Sequence, residues 1–218
     1  MTLPHGKSPR WRRRPLDRPD EILEAALHVF AERGLAGARV EDIAEAAGVS
    51  KGTVYLYFKG KEELFKEAVR GQVGRTLEGL AAAAPPGNPV ERLDRFVTAY
   101  WAHLRRPAFG RLYRLILAEL HQFPELSRFY ADEVSGRILL LSREIIADGV
   151  ERGVFRDVEP QVASRMLVGL LIQHAVWTSQ RELFPHLGQR SDDALLGEIK
   201  DFVFTALGQP GGHAGDTE

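Results

Sequence analysis

Residues Val40–Phe65 read VEDIAEAAGVSKGTVYLYFKGKEELF. Val40, Ile43, Ala44 and Ala47 recur at helical spacing and predict a very short helix ended by Gly48. Ser50 offers an acceptor oxygen as N-cap to a second helix, Lys51 to about Phe58. Lys59-Gly60 breaks it, and Lys61, Glu62, Glu63, Leu64, Phe65, Ala68 and Val69 open a longer one to about Ala83. A short helix, a turn on one glycine and a capped second helix is the pattern of a helix-turn-helix. Gly48 tolerates the positive φ of such a turn, while Ala44 and Ala47 let the helices approach closely. Val49 and Val54 are expected to face inward. Lys51, Gly52, Thr53, Tyr55 and Tyr57 are left on or beside the outer face. Amines, hydroxyls, rings and a bare backbone suit a major groove and its flanking phosphates. Taken singly, the lysines also fit solvated surface, and the two tyrosines fit packing against a neighbouring helix.

Working back, Asp20 and Glu21 place negative charge in the first turn of a helix. Ile22, Ala26, Val29 and Phe30, with Leu23 and Leu27, make its apolar face, and Gly34 is a left-handed stop. Residues 1–66 carry 12 basic against 10 acidic groups, the one part of the chain with a positive balance. Arg10 to Arg14 is its densest run, within an arm kept extended by Pro4, Pro9, Pro15 and Pro19. The run fits a solvated tail, and it fits an arm that follows phosphates or enters a minor groove.

Working forward, AAAAPPGNP at Ala81–Pro89 marks a break. Leu93, Phe96, Val97, Tyr100 and Leu104 then recur at helical spacing. Pro107 starts a helix carrying Leu112, Leu115, Ile116 and Leu120. Pro124 opens a long one that ends at Gly153, and Pro160 opens the most apolar, Gln161 to about Leu183. Asp192–Leu207 is the last. No strand alternation or repeat is evident, so the chain reads as all-α with about nine helices. The expected organisation is a basic arm (1–19), a helix-turn-helix domain (20–66), a larger helical domain (67–207) and a tail (208–218).

The 218 residues are 44% hydrophobic and 27% charged, with a net charge of −1 and no cysteine. That balance fits an ordinary globular protein. The lack of cysteine excludes disulfides, thiolate metal sites and cysteine nucleophiles. The longest strongly apolar run, Met166 to Ile172, is far short of the ~20 residues that span a bilayer. The start has no apolar stretch behind its arginines, so a cytoplasmic protein without membrane association is expected. No nucleophile elbow, Walker loop, dinucleotide fingerprint or HExxH occurs, and the histidines lack metal-ligand spacing. Neither an enzyme nor a cofactor is expected.

The run AGVSKGTVYLYFKGKEEL, within Val40–Phe65, closely resembles the DNA-binding signature of the TetR family of transcriptional regulators, and the likeness reaches back to Asp20. The resemblance implies an N-terminal three-helix DNA-binding domain and a larger effector-binding and dimerisation domain. It assigns Ser50, Lys51 and Gly52 to the start of the recognition helix, next to base edges. Thr53, Tyr55, Tyr57 and Lys61 would contact phosphate, Tyr55 also reaching a thymine methyl, while Val54 and Phe58 hold the helix in place. One position departs: the family usually has Thr or Ser where this chain has Arg39, which cannot cap through an acceptor oxygen. A weaker cap or a replacement phosphate contact is expected there.

The function expected is a TetR-like regulator, a repressor, that binds a palindromic operator in double-stranded DNA as a homodimer and is released by a small hydrophobic, aromatic or acyl-type effector. The last two helices offer the dimer surface through Val162, Met166, Leu167, Leu170, Leu171, Val176 and Trp177, and through Leu195, Leu196, Ile199, Phe202, Val203 and Leu207. The same residues also fit an intramolecular core. Effector-pocket candidates are Phe96, Tyr100, Trp101, His103, Tyr113, Ile116, Ile138, Leu141, Gln173 and Trp177. His103, Arg105, Arg106, Arg111 and Arg114 could meet a carboxylate or a coenzyme A phosphate. The alternative is an architectural or adaptor protein that binds DNA without an effector. A closed second-domain core would favour it, and a cavity with convergent polar groups would favour the regulator.

Overall fold

The computed structural model describes residues 18–106, 109–110, 113–114, 116, 123–180, 182 and 190–208. The arginine run of the arm, Pro107, Arg111, Leu112, Leu115, Leu120, Leu183 and the tail from residue 209 lie outside the described residues. Among the described residues the fold is helical, without strands. None of these helices is long and apolar enough to cross a membrane. The chain forms two compact units, one ending at Ala68 and the other starting at Val69.

The first unit holds α1 (Arg18–Gly37), α2 (Val40–Ala46), α3 (Lys51–Tyr57) and the opening turns of α4 (Lys61–Ala83). Ile22, Ala26, Val29 and Phe30 are buried along one side of α1, as their spacing predicts. Ile43, Val54 and Leu64 carry the same core through the next three helices, and the Phe30 and Phe65 rings meet edge to face with centroids 5.6 Å apart. Each fully buried large apolar side chain stabilises by roughly 1.5–3 kcal/mol, against about 0–1 kcal/mol for an exposed ion pair. The small unit therefore stands on this cluster. Gly34 takes the predicted left-handed φ of 71°, but α1 resumes for a few residues to Gly37 instead of ending there.

The second unit comprises the rest of α4, α5 (Pro89–Leu104), α6 (Pro124–Phe129), a π-helical turn (Tyr130–Ser135), α7 (Gly136–Glu151), α8 (Pro160–Ser179) and α9 (Asp192–Leu207). Asn88 caps α5 by accepting from Val90 N at 2.9 Å, with Pro89 in the first turn where its missing N–H costs nothing. Leu93, Phe96, Val97 and Leu104 pack with Ile145, Leu167, Leu171 and Ile199 in the core. Between α7 and α8 two buried serines satisfy each other: the Ser142 and Ser164 hydroxyls are 2.6 Å apart, and Ser164 donates to the Leu139 carbonyl at 2.8 Å.

The single helix predicted from Pro124 to Gly153 is interrupted. The Gly136 N–H donates to the Ala131 carbonyl, five residues back, which is a π-helical bond. A Cβ built on Gly136 would lie 2.9 Å from that carbonyl oxygen, so the wider turn needs glycine there. The helix expected to run to about Leu183 closes at Ser179, where Gln180 leaves helical geometry at φ −128°.

Candidate nucleic-acid interface and effector cavity

Helix α3 is fixed from below and open above. Ser50 accepts from Thr53 N at 3.1 Å, the predicted cap, and its hydroxyl also lies 2.9 Å from that of Thr53. Gly48 takes φ +65° in the turn, with Val54 and Phe58 buried beneath the helix. Val49 is half-buried rather than fully inward, because the turn leaves it at the edge of the core. Lys51, Gly52, Tyr55 and Tyr57 are exposed together and Thr53 half-exposed. Leu56, which sequence reasoning passed over, is 81% exposed beside them. Its one signal was a large apolar residue between two tyrosines already assigned outward.

Lys51 is already engaged. Its ammonium pairs with the Glu41 carboxylate on α2 and lies 5.8 Å from the Tyr55 ring centroid. The hydrogen bond between them holds Glu41 below the usual carboxylate range and raises Lys51. Both groups are open to solvent, so the pair stabilises the fold little and is easily exchanged for a phosphate or a base. Glu41→Gln frees the ammonium and removes an anion from the same face. It should tighten duplex binding about three- to tenfold at low salt and steepen the salt dependence, measured by fluorescence anisotropy across a salt series. Unchanged affinity and slope would show that Lys51 does not meet DNA.

Arg39 behaves as its chemistry dictates. It occupies the N-cap of α2 with extended backbone (φ −119°, ψ 150°), and its side chain accepts nothing. Half of a capping box remains: Asp42 Oδ2 accepts from Arg39 N at 3.2 Å, and Arg33 holds the other carboxylate oxygen at 2.7 Å. Arg39 itself is exposed. Lys61 is placed differently from a free phosphate contact. Its ammonium donates to the carbonyls of Ala36 at 3.0 Å and Ala38 at 3.4 Å, groups left open where α1 runs out.

The second unit encloses a cavity of about 230 Å³. Among the sequence candidates, Tyr100, His103, Tyr113, Ile116 and Ile138 line it. Phe96 and Trp101 are instead core, and Leu141 packs against that core, because a helical stripe does not distinguish a packed side from a hollow one. Gln173 is exposed, on the outer side of α8. Trp177 sits edge-on to His174, centroids 5.2 Å apart, outside the cavity. His174 Nδ1 lies 2.9 Å from the Leu170 carbonyl. Sequence reasoning missed Gln72, Val73 and Thr76 of α4, Tyr130, Val134 and Ser135 of the π turn, and Arg165 of α8, which also line it.

Thr76 donates to the Gln72 carbonyl at 2.9 Å and lies 3.4 Å from His103 Nδ1. Burial, aided by the charge of Arg106, lowers the His103 pKa to about 4, so the ring is neutral at pH 7. The His103 ring lies nearly parallel to Tyr100 (6°) and meets Phe109 at 5.7 Å, which in turn stacks on Tyr113 at 5.4 Å. Phe109 and Tyr113 also line a neighbouring cleft of about 400 Å³ with Arg105, Arg106 and Arg114. Arg105 is committed to the fold: it donates to Thr178 at 2.6 Å and to Asp192 at 2.7 Å. Arg106 and Arg114 are exposed.

The apolar stripes of α8 and α9 divide into three sets, of which Leu170, Val176, Trp177, Leu195 and Leu196 are half-buried. Leu167, Leu171, Ala175, Ile199, Val203 and Leu207 fill the core of their own subunit. Val162, Met166 and Phe202 face outward, the last two 70% and 64% exposed.

Residues 22–68 match the family of bacterial regulatory proteins described as tetR, and residues 91–206 match the AefR-like transcriptional repressor C-terminal domain. The transcriptional repressor KstR2 of Mycobacterium tuberculosis is 31% identical over 196 residues, covering 84% of this chain and 92% of that protein. The fatty acid metabolism regulator protein of Bacillus subtilis is 29% identical over 69% of this chain and 78% of its own. The solved structure of the regulator FadR from Bacillus subtilis, in complex with stearoyl-CoA, superposes with a TM-score of 0.72 at 22% identity, covering 86% of this chain and 98% of that one. At that identity the likeness is one of fold.

Proposed function

The chain belongs to the TetR family of bacterial regulatory proteins, and from that premise we propose that it represses transcription by holding a palindromic operator with two copies of α3 until an acyl-type effector releases it. It is a ligand-responsive transcriptional regulator and not an enzyme. Lys51, Gly52, Tyr55 and Leu56 read base edges, Leu56 against thymine methyl groups, while Arg39, Thr53 and Tyr57 meet phosphates. Dimerisation runs through the outward faces of α8 and α9, and the basic arm adds sequence-independent attraction.

One observation carries the effector reading. Phe109 and Tyr113 belong both to the apolar cavity and to the arginine-bearing cleft, so one ligand can lay an apolar tail in the first and an anionic head beside Arg106 and Arg114 in the second. An acyl-CoA thioester has that build, and FadR of Bacillus subtilis was solved with one. The cavity, with its convergent polar groups, favours this over an effector-free architectural protein. Helix α4 carries Leu64 and Phe65 of the first unit's core and Gln72, Val73 and Thr76 of the cavity wall. A ligand that shifts α4 shifts the population competent for DNA.

The test begins with an operator selected from random duplexes, followed by titration with acyl-CoA thioesters of increasing chain length. A coupling of about 1–3 kcal/mol should lower operator affinity roughly five- to 150-fold. Arg106→Glu with Arg114→Glu should abolish the response to the thioesters. Operator affinity indifferent to every thioester would refute the acyl-CoA assignment.

A further inference from the structure

Tyr100 is 1% exposed, and among the described residues its hydroxyl has no hydrogen-bond partner. Buried phenols ordinarily find one. The ring is held in the α5 core by stacking on Phe96 with centroids 5.7 Å apart, yet the side chain lines the cavity. The phenols of Tyr130 and Tyr113 line the same space. A donor without a protein partner is thus open to the cavity, whose wall also carries Gln72, Thr76, His103 and Ser135.

We propose that Tyr100 is the specificity donor of this cavity, placed to hydrogen-bond an accepting oxygen, such as a ketone or ester carbonyl, on the part of the effector that enters it. The inference rests on the reading of the cavity as the effector site and adds the chemistry of what enters it. Arg165 also lines the cavity, its Nε directed to the Gln161 carbonyl at 3.4 Å. His103 is neutral at pH 7 and adds no positive charge. Burial also raises the Tyr100 and Tyr130 pKa values, so these phenols donate and do not ionise.

Acetophenone and α-methylstyrene are small probes of matched shape that differ in a C=O against a C=CH2. Calorimetry on the full-length protein should show acetophenone losing about fivefold in affinity on Tyr100→Phe, with α-methylstyrene bound no worse. The infrared carbonyl stretch of bound acetophenone should sit at the hydrogen-bonded frequency in the wild type, a reading that needs no substitution, and rise in Tyr100→Phe. Without ligand, Tyr100→Phe should melt no lower than the wild type, whereas a tyrosine retained for structure through its hydroxyl would give a lower melting temperature.

α-Methylstyrene binding without a Tyr100-dependent preference for the ketone would overturn this proposal alone. An unbonded carbonyl frequency in the wild type would do the same, as would loss of the preference in Tyr130→Phe but not in Tyr100→Phe. If neither probe binds, the effector-cavity reading falls and takes this inference with it.

Discussion

A Lys51→Ala, Tyr55→Ala variant should bind its operator at least about 100-fold more weakly than the wild type while remaining folded. Each base-reading side chain carries about 1–3 kcal/mol, and a two-fold dimer counts every substitution twice. Even the low end, four contacts at about 1 kcal/mol, gives close to a thousandfold at 1.4 kcal/mol per decade. Neither residue supports the fold: both are exposed, and the Lys51–Glu41 pair is open to solvent. Val54 and Phe58, which hold α3, are untouched. The measurement is anisotropy on the selected operator and on a scrambled duplex, with circular dichroism to check the helices. Loss on the operator should exceed loss on the scrambled duplex, because base contacts are absent from the latter. A folded variant that keeps the wild-type preference would remove α3 from the interface.

How far the sequence revealed this arrangement depends on whether local chemistry decided it. The Ser50 cap, the left-handed Gly48 and the bounds of α4 and α9 were legible because each follows from one residue's geometry or one apolar period. Arg39 was legible in what it could not do, but the remaining half of the cap came from Asp42 and Arg33, which only tertiary placement brings together. Lys61 shows the same limit. A lysine at the start of a helix looks like a surface cation, and its two carbonyl partners lie 25 and 23 residues away.

The cavity was half legible for a different reason. Helical spacing marks the buried side of α5 but assigns Phe96 and Tyr100 alike to it, although Phe96 is packed and Tyr100 borders a hollow. The π turn was invisible, since one residue per turn of extra width leaves little trace in hydrophobic periodicity. Gly136 was the available sign, a glycine inside a strong helical pattern, and the turn it permits is what brings Tyr130 and Ser135 to the cavity wall.

The outward apolar side chains of α8 and α9 give the second large expected effect. Phe202→Asp combined with Met166→Asp should convert the dimer to monomer at micromolar concentration. Burying Phe202 in a two-fold interface contributes roughly 2 kcal/mol per copy, so about 4 kcal/mol per dimer disappears before the new carboxylates are counted. That is already near a thousandfold in the dimer dissociation constant. The four new carboxylates also have to be desolvated there, which adds to the loss. The monomer's own core should survive, because Ile199, Val203, Leu167 and Leu171 carry it while Phe202 and Met166 point away. Sedimentation equilibrium reads the association and the thermal transition reads the fold. Operator binding should collapse in parallel, since a single α3 then reaches one half-site and forgoes the second set of contacts. A variant that stays dimeric and binds its operator normally would move the subunit interface away from these two helices, leaving Met166 and Phe202 as an apolar face with another occupant.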